Sequence, residues 1–183
     1  MKRHLIVPAL LLAFATVAAA AESLVLNGSG VRTKMILGAM YDLSLYVPES
    51  LKGADAQSIL ESGKPMEFVL LIKSSLITRD RFVEATTEGF AKAADAGYAS
   101  EKTPAFLEQF AATEFRKGDT VVMRYGPDGL STFYRTPAEG ESPATEIKLG
   151  AIPGLDLKKA LFAIWLGDSP VQESLKNALL HAK

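Results

Sequence analysis

The chain has no cysteine and only two histidines among its 183 residues, and these shortages exclude more chemistry than any motif in it suggests. Without thiols there is neither a disulfide framework nor a thiol nucleophile, so packing and hydrogen bonds must hold the fold. The histidines stand at His4 and His181, near the two ends, which leaves the body without an imidazole for a catalytic triad, a zinc site or a haem ligand. No basic run is long enough to track a phosphate backbone. Metals, nucleotides and flavins likewise find no motif, so neither nucleic acid nor a cofactor nor a metal is an expected partner.

Apolar runs of membrane-spanning length are missing too. The one candidate is at the start, where Lys2, Arg3 and His4 precede an almost wholly apolar segment over 5–18 and the small residues Ala19-Ala20-Ala21. As a helix that core of about 14 residues measures about 21 Å, short of the roughly 30 Å of hydrocarbon that a span must cross. The expectation is a cleaved secretion signal over 1–21 and one exported domain over 22–183, not membrane-spanning after cleavage, in the periplasm if the source cell has two membranes. Of 20 basic and 21 acidic residues, Lys2 and Arg3 fall in the leader, so the remainder carries a net charge of about −3.

Periodicity then divides the body. Residues 24–26 and 31–36 read as two strands of a hairpin joined through Asn27-Gly28-Ser29-Gly30. Met40 to Val47 reads as a strand with Leu43, Leu45 and Val47 on one face and Asp42, Ser44 and Tyr46 on the other. A short helix over 55–61 and an interior strand over 66–72 follow. Thr78 reads as the cap of a helix over 79–96 that turns Phe82, Thr86, Phe90 and Ala93 inward and stops at Gly97. Pro104 opens a second helix with Phe106, Leu107 and Phe110 as its buried stripe. Strands over 121–125 and 130–134 flank Pro127-Asp128-Gly129, and another strand covers 145–149. A helix over 157–166 with Asp156 as its cap and a last helix over 171–180 complete an α+β pattern, with helices coating one face of a sheet.

The segments Gly28-Ser29-Gly30-Val31-Arg32, Met40 to Val47, Gly118-Asp119 through Gly129, and Ile152-Pro153-Gly154-Leu155-Asp156 through Trp165-Leu166-Gly167-Asp168-Ser169-Pro170-Val171 resemble the chalcone isomerase-like superfamily, and its short secreted bacterial members in particular. The resemblance implies an open-faced β-sandwich: a large antiparallel sheet, helices packed on one face, and a ligand cleft between them. It also implies one of two activities, since some members isomerise chalcones by an intramolecular lyase reaction and others hold fatty acids without a reaction. Arg32 matches the arginine that faces the anionic group of the ligand, and Tyr41 falls where isomerases place a catalytic threonine. The helix tyrosine and asparagine that assist isomerisation fall at Phe82 and Gly89, so both polar handles are missing.

Read by themselves, the residues allow more than one role. Arg32 is either an exposed edge charge or an anion receptor whose planar fork suits a carboxylate or phenolate. Tyr41 is either a half-buried strand aromatic or a second donor to the same anion. Phe82, Phe90 and Met123 are core residues, or line a cleft for an apolar tail. Trp165 reads as core. The leading expectation is a binding protein for a small amphipathic anion such as a fatty acid, held by Arg32, Tyr41, Phe82, Phe90 and Met123. The alternatives are an isomerase of the intramolecular lyase type acting on a phenolic anion through Arg32 and Tyr41, and an envelope protein that binds an unknown protein partner.

Overall fold

A computed structural model describes residues 23–180; the expected signal segment and His181 lie outside the described residues. Six strands, β1 (Leu24–Lys34), β2 (Gly38–Pro48), β3 (Met66–Ile72), β4 (Thr120–Gly126), β5 (Gly129–Thr136) and β6 (Thr145–Ile152), form one sheet in chain order, each antiparallel to the next. Helix α1 (Ala56–Glu61) joins β2 to β3, while α2 (Arg79–Asp95) and α3 (Thr103–Glu108) join β3 to β4. Helices α4 (Leu155–Leu166) and α5 (Glu173–Leu180) follow β6. No helix among the described residues is long and apolar enough to cross a membrane.

Strand alternation separates the two faces of the sheet. Leu43, Leu45 and Val47 of β2 and Met66, Phe68, Leu70 and Ile72 of β3 point to the helices and are buried. The opposite face is open and charged. There Glu67 pairs with Arg124 at 2.5 Å, Arg135 with Glu146, and Phe133 lies beneath the cations of Arg124 and Lys148. The architecture is therefore the α+β, helices-on-one-face arrangement expected from the sequence.

The amino-terminal hairpin differs from its sequence reading. Residues 24–34 are one strand that pairs with β2 throughout, with a bulge at Asn27, and the turn lies at residues 35–37. Gly28 and Gly30 do not turn the chain; they make room. A side chain on Gly28 would overlap the carbonyl oxygens of Ala178 and Leu179, and one on Gly30 would stand 2.8 Å from the Ala178 methyl and 2.9 Å from Leu175 Cδ1. Both glycines lie on the helix face under α5, a close approach that a strand glycine permits. The bulge aims Asn27 inward, where its amide donates to Leu179 O at 2.7 Å and its carbonyl accepts from Gly53 N at 2.8 Å.

Helix α2 forms as its pattern requires. Thr78 caps it by accepting from Arg81 N, and Phe82, Thr86, Phe90 and Ala93 are its buried residues. Gly97 stops it at φ 91. Asp156, by contrast, does not cap α4: Gly154 holds the cap position, and the Asp156 carboxylate accepts from Lys102 Nζ and Ser100 Oγ at 2.6 Å each. Those two donors hold its pKa below the usual carboxylate value.

Helix α4 is apolar almost all round and lies between the sheet, α1 and α2. Its one buried charge is Lys158, fully enclosed, whose three ammonium donors reach Ile59 O, Leu60 O and Ser62 O at 2.6, 2.9 and 3.0 Å. These are carbonyls at the end of α1, which that helix leaves without internal partners. Burial, followed by the charge of Lys159, lowers the Lys158 pKa to about 7, against the opposing pull of Glu61.

Two outcomes follow from this packing. Replacing Gly28 by Ala should destabilise the protein by about 2 kcal/mol or more, because backbone rather than a flexible side chain must move, and hydrogen exchange should show α5 deprotected first. Replacing Lys158 by Met keeps the stem and orphans three carbonyls, so urea melts should show a loss of a few kcal/mol. The pH dependence carries the sign of a depressed amine. Between about pH 7 and pH 10 the unfolded chain keeps a proton that the folded one gives up, so wild-type stability should rise with pH relative to Lys158→Met. The three carbonyls favour the ammonium, so by pH 9.5 that rise is bounded at roughly 3 kcal/mol.

Candidate ligand-binding site

The β1–β2 register places Arg32 directly across from Tyr41, and the alternation that buries Leu43 turns both toward the helices. Tyr41 is partly buried beside Ile72, its partner on β3. Trp165, near the end of α4, packs on Phe68 with ring centroids 5.1 Å apart and donates its indole N–H to Tyr41 Oη at 2.9 Å. The phenol oxygen thus accepts from Trp165, and its own O–H remains available to a further acceptor. Burial raises the Tyr41 pKa, while the Trp165 hydrogen bond and the charge of Arg32 pull it down, so Tyr41 is a neutral donor near pH 7.

Arg32 is held by one residue that the sequence reading did not single out. Its Nη1 donates to Gln172 Oε1 at 3.0 Å and to Thr33 O at 2.8 Å. The same Gln172 oxygen accepts from Thr33 N at 3.0 Å, and the Gln172 amide donates to Val31 O at 3.2 Å and Ser174 Oγ at 2.7 Å. Gln172 immediately precedes α5, so the seating of α5 on Gly28 and Gly30 also fixes the guanidinium. Among the described residues Arg32 forms no ion pair. Nε and Nη2 have no protein acceptor there, and with the Tyr41 O–H they leave a set of donors around one cation.

The other sequence-derived residues lie elsewhere. Phe82 packs against Phe110 and Phe115 at 4.9 and 4.8 Å, and Phe90 against Phe106 at 5.8 Å. Met123 is wholly enclosed on the helix face of β4. Phe90 also lines a surface cleft of about 240 Å³ with Tyr98 and Leu107, and a second cleft of about 450 Å³ runs along 78–80 and 111–116; neither includes Arg32 or Tyr41. Arg32 and Tyr41 are thus brought together, with Trp165 and Gln172 added. The three apolar residues belong to the aromatic and sheet core.

The family model described as chalcone isomerase-like matches residues 13–181. The chain belongs to the chalcone isomerase-like family. Among solved structures, it is similar to the Arabidopsis thaliana fatty-acid binding protein AtFAP1, with a TM-score of 0.62, 18% sequence identity and 91% of each chain covered. That likeness shows a shared fold. No curated protein sequence matches this family member.

Removing the indole donor should leave the Tyr41 phenol less acidic still. In Trp165→Phe, and separately in Arg32→Ala, the resonance of a ¹³C-labelled Tyr41 ring should titrate at higher pH than in the wild type. An unchanged titration in both would mean that neither group acts on the phenol.

Proposed function

We propose that this protein is an exported carrier or receptor for a small amphipathic anion such as a fatty acid, and that it acts without catalysis. The supporting observation is the donor set at Arg32 and Tyr41: a guanidinium with no carboxylate partner among the described residues, beside a phenol whose acceptor capacity is already used by Trp165. A carboxylate head group could accept from both donors. AtFAP1, which carries the name of a fatty-acid binding protein, shares this fold and so supports the reading.

Isomerisation has less support. At the position where the family resemblance calls for a helix asparagine, Gly89 packs so closely on α4 that a side chain would stand 2.8 Å from Ile164 Cγ2. Phe82, at the tyrosine position, is embedded in an aromatic cluster. Tyr41 is held neutral, which suits a donor better than a base.

The apolar segment over 5–18 supports export with removal of residues 1–21, a single remaining domain over 22–183, periplasmic residence and a place among the secreted bacterial members of the family. Amino-terminal sequencing of the protein recovered from its source cell should begin near Glu22. Titration with a long-chain fatty acid should give saturable one-site binding. Arg32→Ala should weaken it by about ten- to a hundredfold and Tyr41→Phe by about tenfold, the range for hydrogen bonds to a charged group. Equal affinity in all three proteins would overturn the assignment.

A further inference from the structure

The β1–β2 turn displays Met35, Ile36 and Leu37 at 93%, 102% and 51% exposure, three consecutive apolar side chains at the tip of a hairpin with nothing of the described protein over them. Leu76, on the loop that follows β3, is also exposed at the same end of the sheet, where Lys73 N and Ser74 N both donate to Met40 O. Scattered apolar residues on a surface are ordinary; a contiguous apolar projection marks an interaction site.

The backbone makes the choice of residue more telling. Leu37 N donates to Lys34 O at 3.1 Å, and Ile36 takes φ 72 at the third position of that turn, where glycine or asparagine sits without strain. A β-branched side chain at positive φ is an outlier that opposes stability. Exposure adds nothing in compensation, so folding alone does not account for Ile36.

Two cations without an ion-pair partner among the described residues, Arg32 and Lys34, stand behind the tip on the strand that leads into the turn; Lys73 stands at the end of β3, paired to Asp42 at 3.3 Å. A convex apolar tip with cations behind it is complementary to a bilayer, whose hydrocarbon begins beneath a layer of phosphates.

We propose that the Met35-Ile36-Leu37 tip is a membrane-docking element, which enters the headgroup–acyl boundary of an anionic bilayer while Lys34 meets the lipid phosphates. The tip brings Arg32 and Tyr41, a few residues along the same hairpin, close to the surface from which an amphipathic anion leaves or to which it returns. Only this purpose rests on the proposed function; the exposure and charge of the tip stand without it.

The test places a reporter at the tip. In the Ile36→Trp variant, with the wild type and its buried Trp165 as background, emission is followed on adding vesicles of brominated phosphatidylcholine with or without phosphatidylglycerol, and no fatty acid. Docking gives a blue shift and bromine quenching at position 36, stronger with phosphatidylglycerol. In co-sedimentation with the same vesicles, the triple variant Met35→Ser, Ile36→Asn, Leu37→Ser partitions about tenfold less than the wild type or weaker. Reading depth at position 36 keeps the result independent of the apolar segment at 5–18. Water-like emission at position 36, adsorption without bromine quenching, or equal partitioning of the triple variant overturns the proposal, and the first of these returns the tip to a protein partner. Fatty-acid titration in solution, without vesicles, reads the Arg32 site alone, so failure of either assignment leaves the other standing.

Discussion

The enclosure of α4 is the constraint on which the rest depends. Nine of its twelve residues are buried, and its neighbours are spaced by what that helix can accept. Phe162 and Trp165 fill the concavity over Phe68, with centroids 4.4 and 5.1 Å from its ring. Gly89 lets α2 close against Ile164, and Lys158 ties the end of α1 to the same helix. A charge buried this deeply is a poor source of net stability, because desolvation offsets much of what its hydrogen bonds contribute. It does tie the end of α1 to α4, by giving three acceptors to three donors.

Local pattern revealed local structure. The α2 helix was legible because its cap, inward stripe and glycine stop are all encoded between Thr78 and Gly97, and each agrees with the others. The amino-terminal hairpin was not, because Gly28-Ser29-Gly30 satisfies the rules for a turn while its cause lies in Ala178 and Leu179, some 150 positions away. Lys158 and Lys159 are adjacent and chemically identical, yet one is fully buried and the other meets Glu61 at the surface. At the candidate site, Arg32 and Tyr41 were singled out through a family motif, and the strand register sets them side by side. Gln172 had no signal of its own, and the polar role of Trp165 depended on a phenol from a distant strand. Phe82, Phe90 and Met123 have the composition of a ligand wall, but composition does not distinguish a wall from a core.

The candidate site is organised as a relay of donors without a terminal acceptor among the described residues. Trp165 donates to Tyr41, Tyr41 has a proton to pass outward, and Arg32 presents the unused part of its fork beside it. Burial raises the pKa of the phenol, so the relay keeps its direction at neutral pH instead of collapsing into a tyrosinate–guanidinium pair. Such an arrangement is the basis for the proposal that an anion binds here. Proton abstraction would need a base poised near the working pH, and this group is shifted away from it.

Strand β1 concentrates these demands on one edge of the sheet. Its glycines admit α5, its bulge sends Asn27 inward, its Arg32 faces the proposed ligand, and its end supports an apolar turn in a strained conformation. An edge strand without cover invites pairing with other chains, and natural proteins blunt such edges with bulges, charges or a covering element. β1 has all three: the bulge at Asn27, the cations Arg32 and Lys34, and α5 lying across its glycines. Two of these devices, Arg32 and α5 with the Gln172 before it, also build the candidate site. Removing α5 from its seat would expose the edge and release Gln172 from Arg32 in the same step, so stability of the edge and the geometry around Arg32 are coupled.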